Sequence, residues 1–143
     1  MDFSDQYINM CQKAVEIQKL FNDKETNYGD YFDACGNWSI ASSKIRDSFI
    51  EGITWLPRQD QLQEMILQEK IEFDIDYYPE QNQWRYNTYK NLEAEYHSDF
   101  FNTAEQMYLA FLMKIKHNKQ WNGQDWNKAK KNNTCLKNIP PKK

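Results

Sequence analysis

Apolar residues recur at three- and four-residue spacing from Tyr7 through Met10 or Cys11, Ala14 and Ile17 to Phe21, with Asp5, Gln6, Lys13, Glu16 and Lys19 between them. This period predicts one amphipathic helix over residues 5–21. Residues 28–32 and 38–41 are richer in aromatic and β-branched side chains. They flank Asp33-Ala34-Cys35-Gly36-Asn37, whose glycine and asparagine suit a turn, so a β-hairpin is predicted. Residues 42–52 read as a polar connection in which 45–50 is either a short helix or irregular loop, before a third strand at 53–56.

Residues 55–65, Trp-Leu-Pro-Arg-Gln-Asp-Gln-Leu-Gln-Glu-Met, carry an apolar strand end into a dense run of polar helix formers. Pro57 suits the first helical position, where its missing N–H would have had no partner. Leu62, Met65 and Ile66 form only a narrow stripe, which predicts a helix lying on the outside of a sheet with a broad polar face open. Arg58, Gln59 and Asp60 then fall in its first turn, where a partner could touch them.

Residues 71–78, Ile-Glu-Phe-Asp-Ile-Asp-Tyr-Tyr, alternate apolar and acidic side chains. They read as a strand with one buried face, or else as the frayed end of the preceding helix. After a break at 79–83, Trp84, Tyr89, Leu92, Tyr96 and Phe100 fit one face of a second polar helix. Thr103-Ala104-Glu105-Gln106 matches the capping box, and residues 107–115 are apolar or aromatic except Lys114. A helix near 103–117 that is apolar almost all round is the buried centre of the domain. Asn122-Gly123 between Trp121 and Trp126 predicts a tight type I′ turn closing over the core. The fold class is therefore α+β: a small antiparallel sheet over 28–56, extended by 71–78 on the strand reading, packed against three to four helices.

With 143 residues the chain is one domain, read as a compact body over 1–126 and a tail over 127–143. The net charge of −3 conceals an asymmetry, because the body holds all 21 acids and only 12 of the 18 Lys/Arg, a net −9. The tail holds six lysines and no acid, and reads as solvated, disordered chain. A body at −9 is repelled by phosphate backbones, which argues against direct nucleic-acid binding by it. The N-terminus has no charged-then-apolar leader and no apolar run approaches membrane-spanning length, so a cytoplasmic protein is expected.

Candidate chemistry is sparse. Glu72, Asp74 and Asp76 would form a comb of carboxylates on one side of a strand that could hold Mg²⁺ or Ca²⁺, though solubility or edge protection is the favoured explanation of such a comb. His97 precedes Ser98-Asp99, His117 falls at a helix end, and Cys11, Cys35 and Cys135 make no local metal pattern. No Walker or dinucleotide fingerprint is present, and no catalytic, cofactor-binding or metal-binding residue is assigned. Trp55, Trp84, Trp121 and Trp126 could form a stacking platform or anchor an interface where exposed, though core and turn packing accounts more simply for any one of them.

Several segments carry a resemblance: Tyr7-Ile8-Asn9-Met10-Cys11, Glu16-Ile17-Gln18-Lys19-Leu20, Gly29-Asp30-Tyr31, the whole of 55–65, Leu109-Ala110-Phe111-Leu112-Met113-Lys114 and Trp121-Asn122-Gly123-Gln124-Asp125-Trp126. Across most of 7–126 the chain resembles a group of small proteins encoded by phages and prophages of low-GC bacteria. The resemblance supplies context and no activity to carry over. It implies an accessory protein that binds and blocks a host factor, such as a CRISPR nuclease or another defence enzyme, in the cytoplasm of an infected or lysogenic cell. On that view Arg58, Gln59, Asp60, Glu72, Asp74, Asp76, Trp84, Trp121 and Trp126 are the partner-binding candidates, and residues 71–102, which match least, suit a partner-specific surface. The alternatives are a nucleotide-sequestering protein using an aromatic pocket with Arg58, Arg46 or Arg85, and a metal-dependent enzyme using Asp74 and Asp76.

Overall fold

A computed structural model describes residues 1–23, 29–41, 52–90 and 93–129. Among them the element order is α1 (Asp5–Lys13), α2 (Val15–Asn22), β1 (Tyr31–Ala34), β2 (Asn37–Ile40), β3 (Ile53–Leu56), α3 (Gln59–Leu67), β4 (Phe73–Tyr78), β5 (Gln83–Lys90), β6 (Glu93–His97), α4 (Ala104–His117), β7 (Lys119–Trp121) and β8 (Trp126–Lys128). The strands form three small antiparallel sheets ordered β2-β1-β3, β4-β5-β6 and β7-β8. The fold is α+β, with α4 at its centre: Ala104 through Met113 are all buried. The Thr103 hydroxyl caps α4 by accepting from the Gln106 N–H. The reciprocal half of the capping box is absent, because the Gln106 amide donates to Asp2 and Ser4 instead.

Residues 5–21 do not form one helix. The chain breaks at Ala14 (φ −82°, ψ 66°), and the Gln18 side chain stabilises the break. Its Nε2 donates to the Cys11 and Trp55 carbonyls, while its Oε1 accepts from the Trp55 N–H at 2.7 Å. One amide thus behaves as a neighbouring strand along the outer edge of β3, and two short helices follow that edge better than one straight rod. Gln18→Ala removes all three bonds, and urea denaturation should show a loss of about 1–3 kcal/mol.

The predicted hairpin and third strand form as β1, β2 and β3, with Cys35 (φ 55°) and Gly36 (φ 89°) supplying the left-handed turn. The connection over 45–50, with Arg46, lies outside the described residues. Strand β4 confirms the strand reading of 71–78, but it does not extend the first sheet; it pairs with β5. Residues 84–90 and 93–100 are not helical. Trp84, Tyr86 and Thr88 alternate with Arg85, Asn87 and Tyr89, a period-two pattern that the aromatic spacing concealed, and Asn82 at φ 51° closes the β4–β5 turn. Leu92, assigned to that helix, lies outside the described residues.

Helix α3 packs on α4 rather than on a sheet, burying Leu62 and Ile66. Its N-cap is Arg58 in extended conformation, so Pro57 precedes the helix instead of opening it. The second sheet faces α4 through Phe73 and Tyr86, whose rings lie 4.8 and 4.4 Å from that of Phe111. The last hairpin is looser than an Asn-Gly type I′ turn. Trp121 and Trp126 stand opposite each other across a four-residue loop, in which Asn122 Oδ1 accepts from the N–H groups of Gln124 and Asp125. Ordered structure continues three residues past the expected boundary at 126, since Ala129 is buried and its N–H donates to the Asn118 carbonyl. The lysines beyond it lie outside the described residues.

Candidate functional site

The 55–65 segment explains itself as scaffold. The Tyr7 hydroxyl donates to the Pro57 carbonyl at 2.5 Å within the core. The Arg58 guanidinium grips Asp60 through two 3.0 Å bonds and reaches the Gly29 carbonyl, at 3.0 Å, with its remaining arm. Gln61 accepts from the Arg58 N–H and donates to Asp30. The Arg58 guanidinium also holds the Asp60 carboxyl below the usual range. These residues tie the start of α3 to the approach of β1. Only Gln59 of the predicted first-turn contacts lacks such a role; it is exposed.

The tryptophans divide. Trp121 and Trp126 are buried, their rings 5.0 Å apart, and the Trp126 indole donates to the Met10 carbonyl at 2.9 Å. Neither presents a surface to a partner, because both complete the core between α1 and α4. Trp84 is half-buried, its ring 4.6 Å from that of the exposed Tyr77.

What the structure assembles is the outer face of the second sheet. Alternation puts Phe73, Ile75 and Tyr86 toward α4, and the cross-strand pairs Asp74–Asn87, Asn87–His97 and Asp76–Arg85 on the other side. Asn87 donates to Asp76 at 2.9 Å, and the Arg85 guanidinium pairs with the same oxygen at 3.3 Å. The amide so oriented turns its Oδ1 toward His97 Nδ1 at 2.7 Å, so Nδ1 carries the proton and the ring's Nε2 is the acceptor when neutral. Ser98 is not part of a His-Ser-Asp grouping: its hydroxyl accepts from the Tyr86 N–H and donates to the Asp99 carbonyl.

Asp76 is held below the usual carboxylate range, first by Asn87 and then by Arg85. A depressed folded-state value contributes stability above the unfolded value and loses it as pH falls through the folded one. Thermal melts should therefore show a decline below about pH 4 that is shallower in Asp76→Asn.

Asp74 is exposed, and its carboxylate pushes the Tyr89 phenol up. Glu72 sits just before β4, its carbonyl accepting from the Tyr89 N–H at 3.1 Å. Together with Ile71 and Phe73 these residues line an open cleft of about 480 Å³. At the hairpin end Arg85 lies 5.2 Å from the Tyr78 ring and 5.6 Å from that of Phe100. The acidic comb thus belongs to this outer face, Trp84 to the opposite face beside Tyr86, and Arg58, Gln59 and Asp60 to the junction. The helical reading of 84–100 hid Asn87 altogether and the convergence of Arg85, Tyr89 and His97 on the acidic side of β4.

Among the described residues no three His, Cys, Asp or Glu side chains converge as a metal cage. No helix among them is long and apolar enough to cross a membrane. Comparison with protein families, with curated proteins and with solved structures found no match.

Proposed function

We propose that the chain is a phage accessory protein that binds and inhibits a host nucleic-acid enzyme, a defence nuclease being the favoured target, through the outer face of the β4-β5-β6 sheet. The carrying observation is that Glu72 and Asp74, which have no cation partner among the described residues, share that face with the exposed ring of Phe100 and the Tyr78 ring it meets edge-on. Such carboxylates steer toward the Arg/Lys-lined channels in which these enzymes hold nucleic acid, and exposed aromatic rings supply anchoring area. The resemblance of the chain to phage and prophage proteins supports the setting.

The same face argues against a nucleotide-sequestering role. Its cleft is walled by two carboxylates, Arg85 is paired with Asp76, and Arg58 is paired with Asp60. A metal-dependent reaction through Asp74 and Asp76 is disfavoured because Asp76 already serves Asn87 and Arg85.

The test is affinity capture from host lysate with mass spectrometry, comparing the natural chain, Asp74→Lys, and a control Glu64→Lys on the exposed face of α3. Recovery of one basic nucleic-acid enzyme by the natural chain and the control, with recovery falling at least about tenfold for Asp74→Lys, supports the reading. Equal recovery by all three would remove this face as the binding surface. A nucleotide-sized adduct in native mass spectrometry would favour the sequestering role.

A further inference from the structure

We propose that β2 is a docking edge for a second copy of this chain, the two β2 strands pairing antiparallel about a two-fold axis at Ser39. The ladder to β1 sets which backbone groups are free. The Ala41 N–H donates to the Asp30 carbonyl, so the hydrogen-bonded positions of the register are Phe32–Ser39 and Ala34–Asn37, and Trp38 and Ile40 take the alternate ones. Their N–H and C=O groups therefore point away from β1, along the outer edge of the β2-β1-β3 sheet, and meet no partner among the described residues.

The other edge strands among the described residues are guarded. β4 carries Asp74 and Asp76, β6 carries Glu93 and Glu95, β7 and β8 carry Lys119 and Lys128, and β3 is covered by the Gln18 amide. Charges or a covering group keep such edges from pairing with another chain. β2 reads Asn37-Trp38-Ser39-Ile40, with neither charge nor proline, and its Trp38 and Ile40 are 53% and 49% exposed.

Charge and symmetry choose the occupant. Residues 1–126 carry a net −9, so two copies repel where acidic surfaces oppose each other, whereas at β2 they can meet with no like charges face to face. A two-fold at Ser39 sets Trp38 against Ile40 of the second copy and Ile40 against its Trp38, an isologous contact. Each such pair exchanges both of its outward backbone hydrogen bonds, and each tryptophan gains a β-branched neighbour across the strands. The result is one continuous six-stranded sheet, β3-β1-β2-β2-β1-β3. Trp38 is oriented in advance, because its ring stacks on Phe3 at 4.3 Å, so little side-chain ordering opposes the contact. A strand contact this short falls below the roughly 1,200 Å² typical of stable complexes, which makes the dimer weak and reversible.

The test is sedimentation velocity of the full chain from about 10 μM to about 1 mM, with amide hydrogen exchange at both ends of that range. The expected result is a reversible shift from monomer to dimer, with protection rising at the Trp38 and Ile40 amides. Ser39 is exposed, so Ser39→Lys keeps the fold while placing two ammonium groups opposite each other on the axis; it should weaken the dimer at least about fivefold with an unchanged melting temperature. Leu67→Lys removes an exposed apolar residue of α3 and adds the same charge, and should dimerise like the natural chain. Ser39→Cys should give, on mild oxidation, a dimer in which peptide mapping joins the two introduced thiols, because facing residues at a non-hydrogen-bonded position lie within disulfide reach. A chain that stays monomeric throughout, a dimer indifferent to Ser39→Lys, or a dimer without protection at 38 and 40 would overturn the proposal. So would a monomer whose Trp38 and Ile40 amides become protected only on mixing with host lysate, which would assign the edge to a strand of another protein.

Discussion

Phe111→Ala should lower the unfolding free energy by about 3–5 kcal/mol, the range for emptying a large aromatic site in a packed core. Phe111 is fully buried on α4 and meets the second sheet through two rings, stacking on Tyr86 and meeting Phe73 edge-on. Its loss opens a cavity on the seam between helix and sheet, where neither side can close without moving the other. A domain of ordinary stability holds only about 5–15 kcal/mol, so the variant sits near the limit of folding. Urea denaturation followed by circular dichroism measures the change. Because β4 and β5 also carry the proposed binding face, capture of a partner should weaken with the fold.

Trp126→Ala should cost a similar amount, about 3–5 kcal/mol. The ring is buried, packs on Trp121 and donates to the carbonyl of Met10. Trp126→Phe keeps part of the ring and abandons only the hydrogen bond with some volume, so about 1–3 kcal/mol is expected. The pair of variants tests the assignment of Trp126 to the core. An interface tryptophan would leave the denaturation midpoint unchanged and alter only binding; a core tryptophan moves the midpoint in the order natural chain, phenylalanine, alanine.

The fold was legible in the sequence where one period ran undisturbed. Residues 107–115 carry so little polarity that a buried helix is the only stable reading, and the hairpin at 31–40 is announced by the turn chemistry of Gly36 and Asn37. Two places resisted. In 84–100 the aromatic residues fall at positions that suit a helical face, yet alternation with Arg85, Asn87 and Tyr89 and a left-handed Asn82 make the hairpin. At Ala14 the apolar period continues straight through the break, because the reason for the break is Gln18 bonding to a strand 37 residues away. The candidate site followed the same rule. The carboxylates of β4 were visible as a comb, but their partners on β5 and β6 come from tertiary pairing. The tryptophans flanking Asn122-Gly123 looked like interface anchors because composition does not reveal which aromatic residues the core will claim.

The bond from Trp126 to Met10 spans 116 positions of chain. At a synthesis rate of about 5–20 residues per second, α1 is made roughly 6–23 s before the indole that closes over it. During that interval α1 can dock on α2 and β3, which are made sooner, but its side toward the last hairpin stays open and the centre cannot be completed. Every newly made copy therefore passes through a waiting period during synthesis in which the first helix is laid down but the centre it belongs to is still open.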